Sequence, residues 1–153
     1  MTLEYNPNGT PRSTSVHYDA VKAFTVAMGQ PVGEDITDMG NGDLMIMRME
    51  LIEEEVDEVA RELPTFFTDG QSVYLDRVDK AALTKELADL LYVTYGMAVT
   101  FGLPIDEVFE RVHQSNMSKL GDDGKPLYRD DGKVLKGPNY QPPKLDDLFD
   151  VSV

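Results

Sequence analysis

Asp43-Leu-Met-Ile-Met-Arg-Met-Glu-Leu-Ile-Glu-Glu-Glu-Val-Asp-Glu-Val-Ala-Arg-Glu-Leu63 decides the fold of this chain. The stretch holds no helix breaker. Asp43 is a ready N-cap, and Pro64 pushes its predecessor out of helical geometry, so one helix is expected between them. At about 100° per residue, Met45, Met49, Ile52, Val56, Val59 and Leu63 fall within a stripe about 80° wide, which is expected to be core. The same wheel divides the acidic run Glu53, Glu54, Glu55, Asp57 and Glu58. Glu50, Glu53 and Asp57 flank the stripe on a side with no apolar residue, a water face. Glu55, Glu58 and Glu62 lie on the other side, with Glu54 at its edge and Leu44, Met47 and Leu51 among them. Acids on such a half-apolar face are not freely solvated.

A second long helix is expected from about Asp79 to Phe101, with Gly102 as its C′ residue and Pro104 beyond. Leu83, Leu87, Leu90, Thr94, Met97 and Phe101 form one stripe, and Leu91, Tyr92, Tyr95 and Ala98 cover much of the rest. A helix apolar nearly all round is buried on several sides, which in a chain of 153 residues points to a subunit interface. Glu86 and Asp89 are an i, i+3 pair on this helix, and they share their face with Ala82, Val93, Gly96 and Thr100. Carboxylates placed so need protonation, a basic partner or a bound cation. Lys85 falls elsewhere on the wheel, which leaves Arg48 and Arg61 as candidate neutralisers. Oxygen-only ligands favour Mg²⁺, Mn²⁺ or Ca²⁺. The Asp122-Asp123-Gly124 and Asp130-Asp131-Gly132 runs lack the EF-hand register.

Around these helices the sequence predicts an N-terminal arm over 1–14 and a helix over about 16–28. Val16, Ala20, Ala23, Phe24 and Ala27 mark that helix's apolar face, and Gly29 and Pro31 stop it. A loop is expected over 29–42, and 64–78 reads as a connection. A last helix over about 104–118 has Ile105, Val108, Phe109 and Val112 facing inward. Asp131-Gly132 between two short runs predicts a β-hairpin over 126–136, followed by an extended tail. Residues 1–153 are thus expected to form a single domain, with a helical core over about 16–118 and a tail over 119–153. Residues 119–140 hold Lys119, Lys125, Arg129, Lys133 and Lys136, five of the 14 basic residues. Such a cluster suits a polyphosphate.

Composition narrows the chemistry. Against 14 Lys+Arg stand 28 Asp+Glu, a formal charge of −14, which repels nucleic acid and anionic lipid. The absence of cysteine removes a thiol nucleophile and Cys-ligated zinc, and two histidines cannot build a multi-His site. No P-loop or dinucleotide fingerprint occurs. Neither a leader pattern nor a membrane-length apolar run is present, so a cytoplasmic protein is expected. Metal-activated water is the remaining catalytic route. A rival of another class is an acidic DNA mimic, which needs its acids spread over a surface.

Glu54-Glu55-Val56-Asp57-Glu58 followed by Glu86-Leu87-Ala88-Asp89 resembles the EExxE…ExxD signature of the all-α nucleoside triphosphate pyrophosphohydrolases. That superfamily includes MazG, the dimeric dUTPases, dCTP pyrophosphatases and phosphoribosyl-ATP pyrophosphohydrolases. The likeness spans roughly residues 16–120, and Asn116-Met-Ser-Lys119 resembles the family's Asn-x-x-Lys element. The resemblance implies an all-α, four- to five-helix MazG-like bundle that is a homodimer or larger. It implies that Glu54, Glu55, Glu58, Glu86 and Asp89 hold Mg²⁺, with Mn²⁺ able to substitute, and that Glu55 takes the proton of an attacking water. Asn116 and Lys119 would position the nucleotide. Charge alone adds Lys133 and Lys136 as neutralisers of the leaving group. The expected substrate is a (deoxy)nucleoside triphosphate, dUTP foremost, cleaved at the α-phosphate; phosphoribosyl-ATP is the alternative. His17, Phe24 and Gln30 are read as structural rather than as parts of a base pocket.

Overall fold

In a computed structural model of the chain, described for residues 14–63, 65–68, 71–74 and 78–149, helix ends fall close to the sequence signals. The elements are α1 (Val16–Ala27), a 3₁₀ turn (Met39–Asn41), α2 (Gly42–Glu62), β1 (Thr65–Thr68), β2 (Gln71–Tyr74), α3 (Lys80–Thr100), α4 (Ile105–Met117) and a second 3₁₀ turn (Asp146–Leu148). Asp79 caps α3 by accepting from the Ala81 and Ala82 amides. Gly29, at φ +66°, closes α1: its own amide bonds the Val26 carbonyl and the Gln30 amide bonds that of Thr25. The fold class is all-α, as expected. β1 and β2 pair antiparallel, from Thr65↔Tyr74 to Thr68↔Gln71, within the stretch read as a mere connection. Among the described residues, no single helix is long and apolar enough to cross a membrane.

The chain divides into two compact units, Val16–Leu103 and the residues outside that range. In the first, α2 packs on α3, and α1 packs on α3. Its core lies at the C-terminal end of α3, where Ala98, Val99, Thr100 and Phe101 are buried beside Tyr18, Val21 and Thr25 of α1. The amides of Gly33 and Glu34 bond the Val99 and Thr100 carbonyls, so the loop after α1 finishes the end of α3.

The faces that are buried differ from those expected. On α1, Val16 and Phe24 are exposed while Tyr18, Val21 and Thr25 are inside. The Thr25 hydroxyl donates to the Val21 carbonyl, which makes a polar residue tolerable there. On α2 the stripe expected to be core is largely outward, with Met49 49% and Val56 48% exposed. The half-apolar face bearing Leu44, Arg48, Leu51, Glu55 and Glu58 turns inward instead, and Arg48 is the buried residue of the helix.

In the second unit, Ser115 is the buried residue of α4, and Phe109, expected inside, is 71% exposed. Three polar attachments explain the inversion. The Ser115 hydroxyl donates to the Gln141 carbonyl at 2.7 Å. Arg111 binds Glu107, Asp147 and the Lys144 carbonyl. Gly137 lies on the end of the helix, its amide bonding the Lys119 carbonyl at 3.0 Å. The tail is therefore strapped along α4, with Leu148 buried. The expected C-terminal hairpin does not form strands: Tyr128 and Val134 make a single bridge. Two backbone bonds flank that bridge, Arg129 N–H to the Lys133 carbonyl and Leu135 N–H to the Leu127 carbonyl, and the Asp131 carboxylate ties the turn by taking the Lys133 amide and the Arg129 guanidinium.

Candidate metal centre

Positions 55 and 58 of α2, and 86 and 89 of α3, each share one helix face because each pair is spaced about one helical turn apart, and these faces meet. Glu55, Glu86 and Asp89 each offer a carboxylate oxygen within 4.8 Å of the others. All three are partly buried. Glu58 stands beside them, its oxygen 3.8 Å from the Lys85 ammonium. Glu54 is exposed and outside the three-carboxylate group.

Lys85 corrects the wheel reading. Its Nζ lies 2.9 Å from Glu86 and 2.9 Å from Asp89. Hydrogen bonds to Glu86 and then Asp89 raise its pKa, and its side chain remains 62% exposed. The wheel gives the direction of Cα–Cβ, and a four-carbon stem reaches well past it. Of the other expected neutralisers, Arg61 pairs with Glu58 at 3.7 Å at the surface, whereas the Arg48 guanidinium bonds Gln30 instead.

Lys85, with Arg61 at the rim, against four carboxylates leaves negative charge in surplus. Glu55 shows it most clearly. Its Oε2 is sealed from solvent with no hydrogen-bond partner, and desolvation, then Asp89 and Glu58, raises its pKa above the ordinary carboxylate value. An oxygen-only set with a buried, unpaired carboxylate oxygen fits a hard divalent cation. Glu55, Glu86 and Asp89 could hold one directly, with Glu58 adjacent.

The substrate-binding candidates lie in the other unit. Lys119 Nζ donates to Asn116 Oδ1 at 2.6 Å, so the structure brings these two together at the end of α4. Lys136 lies over the Tyr140 ring at 4.2 Å, and Lys133 is exposed. His17 meets Tyr95 at a tilt, in keeping with a structural part. Gln30 and Phe24, also read as structural, instead line a cavity with Arg48. The missed signal was an arginine two turns before Glu55 on its own helix face.

An all-α chain with paired Glu/Asp motifs converging between two helices defines a class, the helical pyrophosphohydrolases. The family model for phosphoribosyl-ATP pyrophosphohydrolase matches residues 21–116, which includes the three clustered carboxylates and ends at Asn116. The chain belongs to this family and is an enzyme of the pyrophosphohydrolase class. That membership, with acids that converge rather than spread, overturns the DNA-mimic alternative. No curated protein matches the chain. Among solved structures it is similar to a candidate NTP pyrophosphohydrolase from Exiguobacterium sp. 255-15, at 24% identity over 86% of this chain and 90% of the other. The TM-score is 0.42, too loose a likeness to argue from.

Proposed function

We propose that this enzyme hydrolyses a (deoxy)nucleoside triphosphate, dUTP foremost, to the monophosphate and pyrophosphate with Mg²⁺. Mn²⁺ substitutes. The observation that carries the reading is the sealed, unpaired Oε2 of Glu55 within reach of Glu86 and Asp89. Bound divalent metal supplies charge neutralisation at the phosphates and a more acidic water. The protein's part is holding and proton transfer. Glu55, Glu86 and Asp89 would hold the cation, with Glu58 adjacent and Glu54, exposed on α2, the outermost of the five carboxylates. Water oxygen bonds to the α-phosphorus, the bond from that phosphorus to the bridging oxygen breaks, and pyrophosphate departs with the electron pair. Glu55, whose raised pKa makes it a better base than an ordinary carboxylate, accepts the water's proton. Asn116 and Lys119 position the nucleotide, and Lys133 and Lys136 balance the leaving group.

We also propose that the working form is a homodimer or larger, acting as one domain in the cytoplasm. Large apolar side chains on three helices, including Phe24, Val26, Ile46, Met49, Val56 and Leu91, stand open on the single chain. Covering them is what a second copy would do. Phosphoribosyl-ATP is the second substrate reading, and the family match favours it equally.

Incubating the protein with Mg²⁺ and a panel of nucleoside triphosphates and phosphoribosyl-ATP tests both. Pyrophosphate with the matching monophosphate is expected, fastest from dUTP. Orthophosphate instead, or no product from any member, would refute the proposal.

A further inference from the structure

Two helical turns from the carboxylates the α2–α3 seam changes character. Positions 48, 51, 55 and 58 of α2 and 86, 89, 93 and 96 of α3 share one spacing, and the helices meet with Arg48 against Gly96 and Glu55 beside Asp89. Seven residues of helix separate the two layers, about 10 Å of rise. That is the reach of a nucleoside from base edge to α-phosphate.

At the Arg48 layer lies a cavity of about 140 Å³, with Phe24, Gln30, Arg48, Tyr92 and Gly96 among its lining. A cavity of about 150 Å³ accommodates benzene, so this one has room for a single ring. Phe24 and Tyr92 meet edge to face at 5.7 Å and give it aromatic walls. Arg48 is only 6% exposed. Its Nη2 donates to Gln30 Oε1 at 3.0 Å, and its Nε is buried with no partner. Among the described residues no carboxylate neutralises it. Burying a cation with donors unused is costly and calls for a ligand.

The donor inventory says which ligand. Arginine accepts nothing, so the buried, unpartnered Nε of Arg48 calls for an acceptor, and the Gln30 amide sets N–H donors beside it. The guanidinium lies close against the α3 backbone: a Cβ at residue 96 would stand 3.2 Å from Nη1.

We propose that this cavity reads the base of the nucleotide, with Arg48 and Gln30 donating to the carbonyl oxygens of a one-ring keto base, uracil or thymine, and rejecting cytosine. The 4-amino group of cytosine would face donors and go unpaired. This specificity rests on the nucleotide-hydrolysing reading and adds the residues that choose the base.

The test is equilibrium binding, with Mg²⁺, of the α,β-imido analogues of dUTP and dCTP and of pyrophosphate. Wild type is compared with Arg48→Met and with Gln30→Glu, the latter at an exposed position where folding is safe. Wild type should prefer the uracil analogue by about tenfold or more. Arg48→Met should abolish the preference while pyrophosphate binding is retained. Gln30→Glu, which pairs with Arg48 and adds an acceptor, should shift the ratio toward cytosine. Equal wild-type affinities, no binding of either analogue, or a preference unchanged in both variants would overturn base reading by this cavity. Uracil preference in binding with no triphosphate hydrolysed would sink the proposed function and leave the cavity's role standing.

Discussion

Two groups of charges face each other in contrast. On α4 a single arginine, Arg111, gathers Glu107, Asp147 and the Lys144 carbonyl, so every charge has a partner. Between α2 and α3, Lys85 serves Glu58, Glu86 and Asp89 and Arg61 pairs with Glu58, while Glu55 is left over. Both sites set carboxylates against basic side chains. What separates them is stoichiometry. Charges that close on themselves hold a tail in place, whereas a surplus of carboxylates in a half-dry seam has no resting arrangement without a visiting cation.

The largest test of that contrast is turnover. Glu86→Ala or Asp89→Ala should cut pyrophosphate release by roughly a thousandfold or more with helical content by circular dichroism unchanged. Full activity in both variants would erase the distinction. Next comes metal: Mg²⁺ at a hundredfold excess over its Kd should raise the melting temperature by roughly 5–10 °C. The rise should vanish in a Glu86→Ala/Asp89→Ala double variant and persist in Arg111→Met. That last variant, compared with wild type, should melt a few degrees lower and have unchanged kcat.

The smallest effects are in pH, and they carry opposite signs. Burial and like charge hold the Glu55 pKa above its ordinary value, so its ionised form destabilises the metal-free protein. Glu55→Gln should therefore melt higher than wild type at neutral pH without metal, with the gain shrinking as pH falls toward 4.5. Arg111 holds the Asp147 pKa below its ordinary value, so that carboxylate contributes stability above pH 3.8 and loses it as pH falls through the depressed value. Asp147→Asn should melt lower at neutral pH, and the deficit should close only in stronger acid. Melting curves of both variants across pH 3–8 with chelator present check this. Shifts of the same sign would contradict the assignment.

Helix boundaries were legible in the sequence because caps are local: Asp79, Gly29 and Gly102 act within a turn of where they sit. Spacing put Glu55 with Glu58, and Glu86 with Asp89, each on one helix face. Which face is inward was harder to read. Met45, Met49 and Val56 form the cleaner apolar stripe, yet α3 receives the mixed face with Arg48 and Leu51, since periodicity ranks faces by hydrophobicity and not by partner. The turn signal Asp131-Gly132 misled, since it separates two runs that make one bridge, while strands pair in the stretch read as a connection. Lys85 was misplaced because its reach, not its angle, brings it to the acids.

Gly137 has a further consequence for how this chain tolerates change. A methyl group on its α-carbon would stand 2.6 Å from the carbonyl oxygens of both Lys119 and Leu120. Backbone cannot yield there as a side chain would, so even alanine must pry the strap away from the helix behind it. A laboratory selection for active variants would find position 137 closed to every other amino acid, while Lys133, four residues earlier and open to solvent, drifts freely in any screen that does not demand its charge.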